Sequence, residues 1–158
     1  MDSWDRLQPY ERTEFSAGTW DSGQLRARQS LPEGLSLVRV DAESVAAFAE
    51  LDEAFVYNFD SHEDFLARGV GFGVTAGSRF VAGCSSYAIS SHSLEFEIET
   101  AEEFQRRGLA MVTGSRMIEY CLEAGLEPCW DAAHDLSARL ALRLGFVDAR
   151  PYTAYRLE

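Results

Sequence analysis

Leu94-Glu95-Phe96-Glu97-Ile98-Glu99-Thr100, followed closely by Gln105-Arg106-Arg107-Gly108-Leu109-Ala110, decides how this chain is read. The first run alternates strictly. Leu94, Phe96, Ile98 and Thr100 share one side, and Glu95, Glu97 and Glu99 the other, which predicts a strand with one apolar and one acidic face. The second run is a glycine-bearing loop that opens into a long helix. Ala110, Met111, Met117, Ile118, Cys121 and Leu122 are its apolar positions and Gly125 ends it. A helix N-terminus presents free N–H groups and the positive end of the dipole. A glycine there lets the backbone approach an anion closely. Strand, loop and helix in this order make a site for a phosphate or pyrophosphate, with Arg106 and Arg107 adding charge. The spacing is neither GxxxxGK nor GxGxxG, and periodicity alone does not separate such a site from an ordinary loop-to-helix junction.

Working outward, Leu35–Val40 reads as a strand, and Asp41 as the cap of a helix through about Leu51. Ser61-His62-Glu63-Asp64 has the form of a capping box opening a short helix that ends at Gly69. Gly71–Thr75 and Arg79–Ala88 flank a hairpin turn at Ala76-Gly77-Ser78. Downstream of the long helix, Pro128–Ala132 is a short strand. Asp135 caps a helix over Leu136–Leu144 that Gly145 closes, and Phe146 onward is a last strand. The element order predicts an α/β (α+β) domain with a mixed central sheet flanked by helices. Pro32-Glu33-Gly34 marks the entry to this domain, residues 35–158. Residues 1–34, polar and broken by Gly, Ser and Asp, read as an arm or short helix that packs through Trp4, Tyr10, Phe15 and Trp20.

The 158 residues suit one domain with a self-sufficient core. Acidic residues number 26 and basic residues 14, a net charge of −12, which argues against nucleic acid or an anionic membrane as partner. All the basic residues are Arg, so neither a lysine Schiff base nor a P-loop lysine is available. Cys84, Cys121 and Cys129 lack CxxC spacing and predict reduced thiols in a cytoplasmic setting. The first residues have no basic or apolar leader character, and no run approaches the ~18 apolar residues of a membrane span. His62, His92 and His134 lack metal-ligand spacing, so no metal is expected.

Gln105-x-x-Gly108-x-Ala110 resembles the Arg/Gln-x-x-Gly-x-Gly/Ala signature of the GNAT N-acetyltransferases. Trp130-Asp131-Ala132-Ala133-His134-Asp135-Leu136-Ser137, with Leu140-Ala141-Leu142-Arg143-Leu144-Gly145-Phe146, resembles the strand and helix that close the far wall of that family's CoA site. Glu63-Asp64-Phe65-Leu66, Gly71-Phe72, Ile98-Glu99-Thr100 and Pro128-x-Trp130-Asp131 are similar to the branch holding zwittermicin A resistance-type acetyltransferases. The resemblance runs from about Leu35 to Tyr155 and leaves out residues 1–34; members of that branch are longer at the N-terminus.

The resemblance implies a mostly antiparallel GNAT sheet and acetyl-CoA as co-substrate. Ile98, Thr100, Gln105, Arg106, Arg107, Gly108, Leu109, Ala110, His134 and Ser137 would hold it. His134 stands where the family usually has Asn, and Ala141 where it often has a tyrosine acid for the departing thiolate. Tyr152 and Tyr155 on the last strand, or His134, are then the candidate acids, Tyr152 foremost. The acceptor is an amine, and its attack needs a base. Glu97 matches the family's acidic position, Glu99 is second, and mutual repulsion raises both. Glu95 is read as a solvated face, and Asp131 as a cap for the next helix. The expected function is acetyl transfer to a small, cationic amine. A degenerate fold that binds CoA or a metabolite, and a dimerising module built on the aromatic arm, are the rivals.

Overall fold

The structure is a computed structural model and describes residues 3–157. Its seven strands are β1 (Leu7–Ser16), β2 (Leu35–Arg39), β3 (Gly71–Ala76), β4 (Arg79–Ile89), β5 (Ser93–Thr100), β6 (Glu127–Ala132) and β7 (Val147–Leu157). Five helices accompany them: α1 (Ser22–Ala27), α2 (Val45–Leu51), α3 (His62–Arg68), α4 (Leu109–Ala124) and α5 (Asp135–Leu144). The strands form one sheet in the order β2-β3-β4-β5-β6-β1-β7, antiparallel everywhere except between β5 and β6.

The acidic–apolar alternation of β5 decides which side each helix takes. Leu94 and Phe96 are buried against Met117 and Ile118 of α4, with Trp130, Leu144 and Phe146 completing that core. The opposite face, the one carrying Glu97 and Glu99, is covered by α2, α3 and a 3-10 turn at Glu53–Val56. Phe48 and Phe55 stack there at 4.3 Å between ring centroids. They lie on Gly83, where a Cβ would come within 2.6 Å of the Phe48 ring. Gly83 pairs with Glu99 and Ser85 with Glu97, so this aromatic cluster sits directly beside the acidic residues.

Within residues 3–34, α1 is a short packed helix of the kind expected, but the stretch before it is not an arm. Leu7–Ser16 is a strand inside the sheet, hydrogen-bonded to β6 on one side and β7 on the other. The strand is hard to see in sequence because only Phe15 is buried; Leu7 to Arg12 pair with β7 alone and form a ribbon beyond the sheet body. α1 then packs on α4 through the buried Leu25, and Trp20 Nε1 donates to the Leu144 carbonyl at 2.7 Å. Asp41 caps the turn before α2, accepting from the N–H groups of Glu43 and Ser44, and α2 itself starts later, at Val45.

Candidate functional site

β5 and β6 pair at three positions only, Ser93 with Glu127, Leu94 with Pro128 and Glu95 with Cys129. Beyond that point β5 stays on β4, while Trp130, Asp131 and Ala132 turn to pair with β1. Parallel strands that part in this way leave unpaired backbone on both inner edges. The fork opens into a cleft of about 1100 Å³ between the end of β5, the loop before α4, the N-terminal end of α5 and the β1–β7 ribbon.

The loop forms one wall. Gly108 is the N-cap of α4 at φ 78°, with no side chain capping the helix. Arg106 is also left-handed, at φ 63°. Positive φ at both positions turns the chain so that the first-turn N–H groups of α4 are left for an external acceptor. A Cβ at Gly108 would meet no atom within 4 Å, so this approach is open. Gln105 donates its side-chain amide to the Thr100 carbonyl at 3.2 Å, which ties the loop to the end of β5. Of the residues expected at a CoA site, Ile98, Thr100, Gln105, Arg106, Gly108, Leu109, Ala110, His134 and Ser137 line the cleft. Arg107 does not; its guanidinium lies 4.9 Å from the centre of the Phe104 ring.

His134, not Asp135, caps α5. The backbone of His134 is extended and its Nδ1 accepts the Ser137 N–H at 3.2 Å. An accepting Nδ1 leaves the ring proton on Nε2, free to donate. Trp130 Nε1 donates to Ser137 Oγ at 3.2 Å and fixes that wall. Ala141 is fully buried and off the cleft.

The acidic face of β5 forms the floor. Glu97 is half-buried, and its carboxyl is pushed up to about 7 by burial first, then by Asp52, Glu99 and Glu95, with Arg12 opposing. Glu95 is half-buried too, not solvated as its sequence position suggested, and burial and Asp131 raise its proton affinity. Neither carboxylate has a hydrogen-bond or ion-pair partner among the described residues. Glu99 is exposed and accepts the N–H of Thr100.

Asp131 does not cap α5. Arg12 Nε donates to its Oδ1 at 2.6 Å, and the Tyr152 hydroxyl donates to its Oδ2 at 2.5 Å. That hydrogen bond to a carboxylate raises the Tyr152 phenol, which weakens it as an acid. Arg12 and Tyr152 are register partners on β1 and β7. Tyr10 and Arg12 also line the cleft and were missed because their strand was read as an arm. The period-two spacing of Tyr10, Arg12 and Glu14 was the available signal. The Cys84 and Cys121 thiols are buried, which raises both and leaves them unsuited to nucleophilic work.

A profile of the GNAT acetyltransferase family matches residues 3–155, including nearly all of the N-terminal segment that the sequence resemblance left out. The chain is 30% identical over 163 residues to the uncharacterized N-acetyltransferase YdfB of Bacillus subtilis, covering 98% of this chain and 62% of YdfB. It superposes on the crystal structure of a GCN5-related N-acetyltransferase-like protein from Streptococcus suis with a TM-score of 0.86 and 30% identity, covering 99% of this chain and 64% of the other. The aminoglycoside acetyltransferase meta-AAC0020, from an uncultured soil metagenomic sample, shares the fold at a TM-score of 0.53 and 19% identity, over 72% of this chain and 86% of the other. The chain thus spans about three fifths of the length of YdfB and of the Streptococcus suis protein. With the forked sheet, the open loop before α4 and a profile match along almost its whole length, this chain belongs to the GNAT acetyltransferase family.

Proposed function

We propose that the chain transfers an acetyl group from acetyl-CoA to the amine of a small cationic acceptor by direct attack. The observation that carries this reading is Glu97, a half-buried carboxylate without a partner among the described residues, raised to about 7 and opening on the fork next to the α4 loop. The amide donors at Leu109, Ala110 and Met111 suit the pyrophosphate, and His134 Nε2 suits a carbonyl of the pantetheine arm. Acetyl-CoA supplies an acyl group already activated as a thioester. Glu97 takes one proton from the ammonium, the freed nitrogen forms the C–N bond, the C–S bond breaks, and the second proton that the nitrogen sheds on becoming an amide passes to water. Glu99, exposed and further along the strand, is the reserve base.

The departing sulfur needs little help, since a free thiol titrates near ~8.5. Tyr152, engaged with Asp131, is a positioning group for that carboxylate rather than the acid, and solvent returns the proton. The acidic lining of Glu95, Glu97 and Glu99 supports a cationic acceptor, and the free cysteines support a cytoplasmic setting. Thiol release measured with acetyl-CoA and a panel of small amines tests the reading; no amine-dependent release would sink it. The buried Ala141 in place of a tyrosine favours a second reading, acetyl-CoA binding without turnover. Calorimetric binding of acetyl-CoA together with silence in the thiol assay would select it.

A further inference from the structure

Four carboxylates line the cleft, Glu95, Glu97, Glu99 and Asp131, and the reaction above uses Glu97 with Glu99 in reserve. Asp131 has both oxygens engaged, by Arg12 and by Tyr152. Glu97 is the base. Glu95 has no task and no partner among the described residues, although it is half-buried. A carboxylate in that position gives up hydration and receives nothing from the protein in exchange. The positive charge of Arg12 is already tied to Asp131.

Where Glu95 stands adds a second, independent observation. It occupies the last paired position of β5 and β6, at the crotch of the fork. On one side it faces the main cleft; on the other it borders a second hollow of about 210 Å³, walled by Ala88, Ile89 and Cys129. A ligand that reaches past the reacting amine along this strand would meet Glu95, the one residue that lines both the cleft and the hollow. Glu97 and Glu95 share a strand face two residues apart, so their stems are about 7 Å apart. Tyr10 and Tyr87 line the same cleft and add aromatic surface alongside a methylene chain.

Resting on the acetyl-transfer reading, we propose that Glu95 determines acceptor specificity by binding a second ammonium group about 7 Å from the amine that is acetylated, which selects α,ω-diamines with a four- or five-carbon spacer over monoamines.

The test compares kcat/KM, with acetyl-CoA saturating, for 1,4-diaminobutane against butylamine and for 1,5-diaminopentane against pentylamine. In the wild-type chain each diamine exceeds its monoamine by at least about thirtyfold. In Glu95→Gln that ratio falls by about ten- to hundredfold, the size of one lost charge-assisted contact. Glu95→Asp keeps part of the preference. Removing the Glu95 charge also changes the surroundings of Glu97, but this acts on both amines and cancels in the ratio. A wild-type ratio near one overturns the proposal, even if the variants fail to fold. So does an unchanged ratio in a Glu95→Gln protein that still binds acetyl-CoA. Transfer to monoamines and diamines alike leaves the acetyl-transfer reading standing and removes only the role of Glu95. Acetyl-CoA binding with no amine acetylated removes both.

Discussion

At Glu97, replacement by Gln keeps the shape and removes the proposed base. The expected result is a fall of kcat/KM by about two to four decades at neutral pH, with acetyl-CoA affinity retained. In the wild type, activity should climb with pH through an acid limb centred near the Glu97 value of about 7, and Glu97→Gln should lack that limb. The same group makes stability depend on pH. Its proton is held more tightly in the folded chain, at about 7, than at the ordinary 4.5, so its contribution is fully present below about pH 4.5. That contribution is lost as pH rises to about 7, and the melting temperature of Glu97→Gln should vary less across this window than that of the wild type. A Glu97→Gln enzyme with wild-type rates would move the base to Glu99 or to water. Glu97 is legible in sequence because alternation alone puts it on the acidic face of β5. Glu95 was misjudged because alternation gives the side and not the depth; the fork buries one part of that face and leaves Glu99 outside. Arg12 was harder still, since its partner Asp131 is 119 positions away.

Among the elements, the loop before α4 and the start of α5 carry separable predictions. Gly108→Val places a β-branched side chain at φ 78° and on the open approach to the helix amides. It should abolish measurable CoA binding in calorimetry, while far-UV circular dichroism stays native. Arg107→Ala removes a guanidinium that sits on Phe104 outside the cleft, and should cost no more than about 1 kcal/mol of CoA affinity. Equal losses in the two variants would count against a cradle made of backbone. At α5, His134→Ala deletes the acceptor for the Ser137 N–H and should destabilise the protein by about 1 kcal/mol in urea unfolding. His134→Asn should preserve most of that stability, because Asn is itself a favoured cap; a loss equal to that of Ala would mean the imidazole matters for packing and not for capping. Helices and strands of the main body were legible from their period and their glycine stops. The cap of α5 was placed one residue late because Asp135 is the commoner capping residue, whereas the extended backbone of His134 lets a less usual side chain do it.

For the molecule as a whole, the decisive element is β1. It is the only strand paired to β7 among the described residues, and it extends the sheet from β6. Deleting residues 1–16 should therefore not trim an appendage. It removes Phe15 from the core, strips β7 of its ladder and exposes the edge of β6. The expected product is aggregated or unfolded by light scattering and circular dichroism, and a monomeric, folded product would show that β1 is dispensable. The main sheet and its helices were legible because their apolar faces meet a core. β1 was not, because its remaining residues face solvent, the cleft or the ribbon, and hydrophobic patterning reports only burial.

Placing the first strand between the sixth and the seventh also sets a timetable. Arg12 leaves the ribosome 119 positions before the aspartate it binds. At ordinary elongation rates of about 5–20 residues per second, that is a delay of roughly 6–24 s. During this interval the segment has neither of its hydrogen-bonding neighbours, while the wall proposed to take the acetyl donor can already assemble around β5 and α4. The wall of the cleft built by β5 and the loop before α4 is thus laid down before the wall that β1, β6 and β7 complete, and the slot between β6 and β7 is closed by a segment synthesised well before either of them.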